Sequence, residues 1–559
     1  MGRIFGEDAT VIRGGYGRVY GRLNGVGLLL TPLLGPGLIQ AVQCRTAMKN
    51  GTCGSSNPTD STAFRIGVDG GSAPLAAAAP TLPQPLYPGF NGAQTATASV
   101  LDPTFRPNDV DSFDITIQRQ INRKMLVEVG YIGRIIHHEF MPLNINSVPY
   151  MMSQGGQSFA SAYAAIETAF GCSTSAGLCS NNTNLAVIGT GTPKVKVYPT
   201  VAAQPFFETA LAGTGYCSGY ANCTTAVVQK EASNLGQQKV FALWSDLDNG
   251  GFNFARTMMG TPIPGQALGG TGQIGSGVSL ATAQGYGNYN GGFITFKATD
   301  FHGLTLQENF TYSKALGTNA VAQASSALTA NDAFDLAKSY GVQAFNQKFI
   351  FNTFLVYQTP WFQNQSTWLG RLAGGWRFSP ILTAGTGQPI TCSTNSGSQS
   401  FGSADALNFN DTEQCVFTKG YQGAYHAYRN VAGGNDPNGV AVGTATKIVG
   451  GGPAAINIFP NPAAVFGQVR PVILGIDEKD SGTGPISGLP YWNVDMSIHK
   501  NVKIWETTSL EFSGVITNIF NHNVFANPSL SLANPTNFGV INSQGNNPRQ
   551  IEMGVRASF

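Results

Sequence analysis

Near the end of the chain, hydrophobic residues occupy every second position. In QIEMGVRASF (residues 550–559), Ile, Met, Val, Ala and Phe alternate with Gln, Glu, Gly, Arg and Ser. Successive side chains of a β-strand point to opposite faces, so a period of two predicts a strand with one apolar and one polar face. The sequence therefore predicts a two-faced strand whose last residue is a large aromatic.

The same two-residue period recurs upstream and predicts ten strands in all. They lie at residues 10–20, 111–120, 125–136, 289–299, 304–314, 345–358, 371–385, 492–499, 510–517 and 550–559. Two segments depart from a clean alternation: residues 345–358 are apolar on both faces, and Glu308 falls on the apolar side of its segment. Alternating segments separated by turn residues are the sequence signature of a β-barrel wall.

The connections between these strands are short and long in turn. Short ones lie at residues 121–124, 300–303, 359–370 and 501–506, and long ones at 21–110, 137–288, 315–344, 388–489 and 521–548. Short periplasmic turns that alternate with long extracellular loops are typical of outer-membrane barrels, whereas a two-sheet sandwich has no reason to place all long connections at one end. The predicted fold is all-β: one antiparallel transmembrane β-barrel segment of about ten strands over residues 1–559, without a plug domain.

Composition favours a membrane-embedded fold. Charged residues make up 11% of the chain and glycines number 70, against roughly 25% charged residues and about 7% glycine in soluble proteins. No apolar run attains the roughly 18 residues of a helical span, and the longest candidate, residues 25–41, contains Pro32 and Pro36. The net charge of +2, with no dense cluster of either sign, gives no electrostatic basis for a nucleic-acid partner.

All eight cysteines fall in the connections predicted to be extracellular. In chain order they form close neighbours: Cys44 and Cys53, Cys172 and Cys179, Cys217 and Cys223, Cys392 and Cys415. An even count in Gly/Ser/Asn-rich sequence is typical of short disulfide loops made in an oxidising compartment. Zinc ligation is disfavoured because the pairs lack two-residue spacing and His partners.

Charged residues are sparse on the polar faces. Those predicted to point into the lumen are Asp114, Glu128, Lys297, Arg377, Asp495 and Arg556. Their neighbours are mostly Thr, Ser, Gln, Asn and Gly, a set that predicts a wall facing water or a plug and not the filled interior of a barrel of about eight strands. Strands 10–20 and 550–559 would be bare edges in hydrocarbon, so we expect them to pair with each other or with strands outside this sequence.

Contiguous motifs for catalysis are absent: the sequence contains no G-x-S-x-G, G-x-x-x-x-G-K-[ST] or H-E-x-x-H. We therefore predict no catalytic residue, metal or cofactor. His137, His138 and Glu139 form a ligand-capable cluster, but a strand would point the two histidines to opposite faces, which favours a polar rim over a shared metal.

The long loops offer weaker signals. The glycine-rich residues 269–277 indicate flexible loop, not a phosphate cradle, and residues 158–171 indicate a short surface helix that packs loops. Several loop aromatics are candidates either for ligand contact or only for packing: Phe206, Phe207, Trp244, Tyr286, Tyr421 and Tyr425.

Four strand-bearing stretches carry a family likeness. They are SFDITIQRQINRKMLVEVGYIGR, GNYNGGFITFKATDFHGLTLQENFTYSKAL, FNTFLVYQTPWF with GGWRFSPILTAGTGQPIT, and NVDMSIHKNVKIWETTSLEFSGVITNIFNHNVFANPS. In that order they resemble the carboxy-terminal half of the barrel in TonB-dependent outer-membrane transporters, the Oar-like branch above all. VIRGGYGRVYGR fits the preceding strand, and the long loops are largely unmatched.

The resemblance implies the cell outer membrane of a Gram-negative-type bacterium as location and its lipid as a partner. It also implies that Phe559 is the terminal aromatic read by the barrel-assembly machinery; the alternative is an interface aromatic only. Full members add a signal peptide, a TonB motif, a plug domain and a barrel of about 22 strands, so we expect the last part of a longer receptor.

The expected function is ligand binding by the loops and substrate passage through the barrel, with TonB acting through the missing plug. One alternative is an outer-membrane anchor or passive pore that displays disulfide-braced adhesion loops. Another is a secreted soluble β-sandwich enzyme.

Overall fold

The computed structural model of the chain describes residues 10–21, 47–50, 59, 61–72, 98–144, 147–171, 186–188, 195–236, 240–252, 278–318, 332–393, 415–418, 426–436, 439–445, 455–477, 484–505, 508–532 and 534–559. Long strands dominate these residues, and the helices are confined to the connections between them.

Ten long strands form one antiparallel sheet in chain order. They are β1 (Thr10–Tyr20), β2 (Asp109–Asn122), β3 (Met125–Asn144), β4 (Val278–Phe301), β5 (Leu304–Gly317), β6 (Phe349–Gln358), β7 (Trp376–Gly385), β8 (Tyr491–Lys503), β9 (Ser509–Thr517) and β10 (Gln550–Ser558). Each of the ten segments predicted from alternation overlaps one of these strands. Within the described residues, β1 pairs only with β2, and β10 only with β9.

Among the described residues, helices occur in three of the connections. They are α1 (Phe159–Ala169), α2 (Pro205–Ala210), α3 (Cys223–Lys230), α4 (Ala232–Gly236), α5 (Val240–Leu247), α6 (Trp368–Ala373) and α7 (Pro462–Phe466). Short 3-10 turns lie at Gly215–Cys217, Leu336–Ser339 and Pro535–Asn537, and a wider helical turn, Asp248–Phe252, is broken at Gly251. No helix among the described residues is long and apolar enough to cross a membrane.

The long connections also contain short strands. Ala98–Leu101 joins the main sheet, parallel to the start of β4, and Gly341–Val342 joins it beside β5. The others form small two-stranded pairs: Ser153–Gln154, Gln157–Ser158, Ala186–Ile188, Val195–Val197, Pro389–Ile390, Cys392–Ser393, Val416–Phe417, Tyr428–Val431, Gly434–Asn435, Ala441–Val442, Ala455–Asn457, Val469–Arg470, Ile486–Ser487 and Leu530–Ser531.

The register gives the sheet two chemically different faces. Directly opposite residues of antiparallel strands share a face. One row across eight strands is apolar: Ile12, Ile117, Val129, Ile294, Phe310, Phe351, Ala384 and Trp492. The adjacent row on the other side is polar: Gln118, Glu128, Thr295, Asn309, Asn352, Thr383 and Asn493. We call these sides the apolar face and the polar face.

Two of the short connections are tight hairpins. Residues 123–124 join β2 to β3, where the Lys124 amide donates to Asn122 Oδ1 at 2.8 Å. β4 and β5 are joined by His302 and Gly303, with φ of 53° and 82°. Positive φ at both central residues is what a two-residue hairpin needs to match the strand twist.

The predicted short turn at 359–370 is longer in the structure. Residues 359–375 separate β6 from β7 and contain α6, whose first turn is capped by Thr367 Oγ1 accepting from the Gly370 amide at 3.1 Å. Gly375, at φ 72°, then leads the chain into β7. The predicted strand 371–385 therefore began too early, because a capped helical turn occupies its first residues.

β3 and β4 extend farther than alternation predicted. They pair out to Asn144 opposite Ser279, so the predicted loop 137–288 begins and ends as strand. The register shifts on both sides of Glu139, and His138 has a φ of 57°. Such a bulge interrupts the two-residue alternation, which is why the pattern concealed the extension.

In the part of the chain that the structure describes, the long connections form two large hydrophobic cores. The helical core packs α1 to α5 together with a segment of the β7–β8 connection, Val472, Ile473 and Leu474. The second core joins the β7–β8 and β9–β10 connections around Phe459, Phe466, Phe538 and their neighbours. Each core therefore unites connections from different hairpins.

Helix α1 shows how such a core is specified. Ser158 caps it by accepting from the Ser161 amide at 3.2 Å. Phe159, Ala162, Tyr163 and Ile166 follow helical spacing and are fully buried. The predicted helix at 158–171 is confirmed. It is not a surface helix, however, because one of its faces is buried in the helical core.

Candidate functional site

Hydrogen bonds between side chains hold the polar face in a defined arrangement. Gln118 Nε2 donates to Glu128 Oε2 at 2.7 Å across β2 and β3. Asn309 Oδ1 accepts from Thr295 Oγ1 at 3.1 Å and from Gln307 Nε2 at 3.2 Å. Because donors and acceptors are positioned by the strand register, the face offers an ordered polar surface to a solute.

The register places all six charged residues predicted to face the lumen on the polar face: Asp114, Glu128, Lys297, Arg377, Asp495 and Arg556. Asp495 Oδ1 accepts from Asn493 Nδ2 and from the Asn518 amide, each at 2.8 Å. Arg377 Nη2 lies 3.7 Å from Glu511 Oε1, and Arg556 is paired directly opposite Glu511. That this face lines a lumen stays a prediction.

A crevice of about 600 Å³ opens at the loop ends of β3 and β4. Its polar and aromatic lining comes from Thr104, Arg106, His137, His138, Gln284 and Tyr286. The expectation that the strand separates the two histidines is wrong, because the bulge brings both rings to this crevice with centroids 6.1 Å apart. Each histidine has its own acidic neighbour: His137 Nε2 lies 3.5 Å from Asp111, and His138 Nδ1 is hydrogen-bonded to Asp109.

Asp111 also ties the edge strand β1 to β2. Arg18 donates to both of its carboxylate oxygens, each at 2.7 Å, and the Tyr16 hydroxyl donates to Oδ1 at 2.7 Å. A bidentate guanidinium contact of this kind is both strong and directional. The rim beside the crevice is thus built around one carboxylate shared by three side chains.

No metal site is formed in the parts of the chain that the structure describes: no group of three or more His, Cys, Asp or Glu side chains is arranged to hold an ion. Glu139, the third member of the predicted ligand-capable cluster, follows the two histidines on β3. The arrangement suits hydrogen bonding to a polar ligand better than metal coordination.

The candidate loop aromatics divide between packing and exposure. Phe206, Phe207 and Trp244 are fully buried in the helical core. Tyr286 stacks on Tyr340 at 5.5 Å between ring centroids and lines the crevice. Tyr421 and Tyr425 lie outside the described residues, as do residues 269–277.

Disulfides brace both cores. Cys217 is bonded to Cys223 beside the helical core, and Cys392 to Cys415 inside the second core. The other candidates, Cys44, Cys53, Cys172 and Cys179, lie outside the described residues. Phe559 follows β10 and is 93% exposed; its role in assembly stays a prediction.

A buried ion pair within the β5–β6 connection is hydrogen-bonded to the β3–β4 connection. Asp332 is fully buried and accepts from Lys338 Nζ at 2.8 Å and from the Tyr150 hydroxyl at 2.6 Å. Burial, with the Asp332 contact, raises the pKa of Tyr150 to about 12. The β5–β6 connection is therefore held against the entrance of the β3–β4 connection.

A second polar cluster lies at the edge of the helical core. Glu231 accepts from the Tyr216 hydroxyl and from Asn234 Nδ2, each at 2.8 Å, and Asn234 also donates to Asp246 at 2.9 Å. Burial, assisted by the Asp246 charge, raises the pKa of Glu231 to about 7. The helical core thus contains a carboxyl group that changes charge near neutral pH.

The sequence matches the family described as outer membrane beta barrel domain over residues 3–552. The chain belongs to this family, and its location is the outer membrane. A comparison with curated proteins gives no match.

Among solved structures, the chain is similar to the outer membrane transporter YddB from Escherichia coli (6% identity, 82% of this chain and 34% of that chain, TM-score 0.34). It is also similar to the siderophore receptor PirA from Acinetobacter baumannii (8%, 99% and 39%, TM-score 0.33) and the ferripyoverdine receptor of Pseudomonas aeruginosa (7%, 81% and 28%, TM-score 0.28). The chain spans about a third of the length of these proteins.

Proposed function

We propose that this chain supplies part of the barrel wall and the ligand-binding loops of a TonB-dependent receptor or transporter of the Oar-like type. The two-faced wall carries this proposal. An apolar row across eight strands suits contact with lipid, and the polar row behind it suits a hydrated passage.

The loop cores support ligand capture. Because each core is shared by two connections, the surface that they present is preorganised, which lowers the entropic cost of binding. The crevice with Arg106, His137 and His138 is the preferred ligand contact, and its donors favour a polar or anionic ligand. No residue of this ligand site is assigned a catalytic role.

The partners follow from the same proposal. β1 and β10 would pair with further strands or with each other, since open edges are costly in a bilayer. A plug would rest against the polar face and connect it to TonB, and the barrel-assembly machinery would read Phe559. The six charged residues of the polar face would line the passage.

The test is the intact mass of the native polypeptide that carries this region, taken from washed outer membranes, together with crosslinking to TonB in the same cells. We expect a mass far above 58.8 kDa and a TonB adduct. A mass near 58.8 kDa without an adduct would overturn the proposal.

The second candidate function is an outer-membrane anchor or passive pore that displays adhesion loops. It is favoured by one observation: the loops have their own cores and disulfides, so they need no plug to be folded. Conductance of the purified protein in planar bilayers separates the two forms, because a passive pore gives steady open-channel current and an anchor gives none.

A further inference from the structure

Three side chains on the polar face form a hydrogen-bonded relay. Ser497 and His499 lie two residues apart on β8, and Glu511 lies on β9. Ser497 Oγ is 2.8 Å from His499 Nε2, and His499 Nδ1 is 2.7 Å from Glu511 Oε1. A two-residue spacing on a strand puts the serine and the histidine on the same face, and the register adds the carboxylate from the next strand.

The proton positions in this relay follow from the chemistry of its ends. An ionised carboxylate only accepts hydrogen bonds, so Nδ1 of His499 carries the proton that faces Glu511. The other ring nitrogen is then unprotonated and accepts from the hydroxyl of Ser497. This is the order of groups that activates a serine: nucleophile, base, and a carboxylate that orients the base.

A positive charge stands beside the relay. Arg377 on β7 is paired directly with His499, and its Nη2 lies 3.7 Å from Glu511 Oε1. The Arg377 guanidinium offers charged N–H donors on the same face as Ser497, which is half-buried.

The relay is open to a substrate. The side chain of His499 is 25% exposed and that of Glu511 is 32% exposed. Nearby, the polar face carries unusual apolar residues: Val515, paired directly with Ser497, and Phe354 and Ile381, paired with each other on β6 and β7. They are 39–46% exposed, so an apolar acyl chain has a surface to cover.

We propose that Ser497 is an activated nucleophile that cleaves acyl esters with an apolar acyl group. Ser497 Oγ attacks the carbonyl carbon while its proton passes to His499 Nε2. The ester C–O bond then breaks, His499 returns the proton to the leaving alkoxide, and an acyl-serine forms. Water, deprotonated by His499, releases the carboxylic acid and restores the serine.

The activity is expected to be slow. Ser497 sits in a strand paired on both sides, so its backbone is used by the ladder and offers no oxyanion hole of the usual kind. The loss of one such donor lowers rates by about 10²–10³-fold, and Arg377 is the substitute donor. A reactive serine is therefore easier to detect than fast turnover.

The experiment uses the full chain in detergent micelles with a fluorophosphonate probe and a p-nitrophenyl ester of a medium-length fatty acid. We expect Ser497 to be the labelled peptide, and S497A to lose both labelling and esterase activity. H499A should reduce labelling at least tenfold, and E511Q should reduce it less because the histidine remains. S379A is the matched control, since Ser379 is paired directly with Ser497 but has no histidine beside it.

Retention of the fold is checked by heat-dependent mobility on SDS gels, so a misfolded variant is recognised and replaced by S497C or H499Q. Labelling of Ser379 or Ser513 at the rate of Ser497 would overturn the proposal. Labelling of Ser497 that does not depend on His499 would do the same. Neither result bears on TonB crosslinking, so this inference and the proposed receptor function fail separately.

Discussion

The strands of the wall and the loops of this protein treat their hydrophobic side chains in opposite ways. In the wall, formed by strands β1 to β10, hydrophobic side chains such as Ile294 and Val129 lie on the apolar face and are about half exposed in the protein itself. In the loops, Phe459, Trp244 and Tyr163 are fully buried in protein cores. We call the two cores together with their connections the crown. The hydrophobic residues of the wall stay partly exposed in the protein itself, whereas the crown buries its hydrophobic residues in its own cores.

The connections of this protein therefore contain the kind of buried packing that is otherwise found in soluble domains. The helical core and the second core use capped helices, disulfides and aromatic packing, as soluble domains do. The wall instead uses register, with polar and apolar rows separated by one residue. Each region should therefore respond to its own kind of perturbation.

The largest effect is expected from truncating the centre of the second core. Phe459 is fully buried and stacks on Phe538 at 5.7 Å between ring centroids. Phe459→Ala should cost about 3–5 kcal/mol of local stability and open the crown to proteolysis, while the heat-dependent gel mobility of the wall stays unchanged. Phe310→Ala on the apolar face is the control and should leave the proteolytic pattern of the crown as it is.

The wall should be most sensitive to charge on its apolar face. Ile294 lies on that face and Thr295 on the polar face, one residue apart. In lipid vesicles, Ile294→Lys should cost about 2–4 kcal/mol. Thr295→Lys should cost less, about 1 kcal/mol for the lost hydrogen bond to Asn309. Urea unfolding followed by tryptophan fluorescence measures both, and equal losses would contradict the assignment of the faces.

Disulfide reduction should affect the crown alone. Cys392 and Cys415 are 23 residues apart, and Cys217 and Cys223 are six apart. Loop-closure entropy predicts that losing the longer loop costs about 3 kcal/mol and the shorter about 2 kcal/mol. Hydrogen exchange of double Cys→Ser variants should show a larger rise in the second core than in the helical core, with β4 and β5 protected in both.

Alternation alone predicted the ten strands, because each strand of the wall keeps its two-residue period locally. Alternation did not predict the extension of β3 and β4, because the bulge at His138 breaks the two-residue period. The crown could not be predicted from alternation for a different reason. Val472, Ile473 and Leu474 lie in the same core as Trp244, which belongs to a different connection, and no local pattern encodes such a long-range association.

The Ser497 relay could be predicted from the sequence only in part. The two-residue period of residues 492–499 and 510–517 puts Ser497, His499 and Glu511 on the polar sides of two predicted strands. Contiguous motifs, however, do not describe a relay that crosses from one strand to the next. Only the β8–β9 register brings Glu511 within reach of His499. The apolar patch beside it was visible in part, because the β6 segment is apolar on both faces.

The smallest predicted effect is a pH dependence confined to the helical core. Burial raises the pKa of Glu231 from 4.5 to about 7, so the folded state binds this proton more tightly than the unfolded state does. The contribution of this proton to stability is fully present below about pH 4.5 and is lost as the pH rises through about 7.

Hydrogen exchange of α3 to α5 between pH 5 and pH 8 measures this loss. Glu231→Gln keeps an acceptor for the Tyr216 hydroxyl and should abolish the pH dependence. Asp246→Asn removes the like charge that helps to raise the pKa of Glu231, so it should shift the loss of stability to lower pH. The wall should show no matching change. If the pH dependence of hydrogen exchange survived Glu231→Gln, a group other than Glu231 would be its cause, and the predicted difference between the crown and the wall would be contradicted.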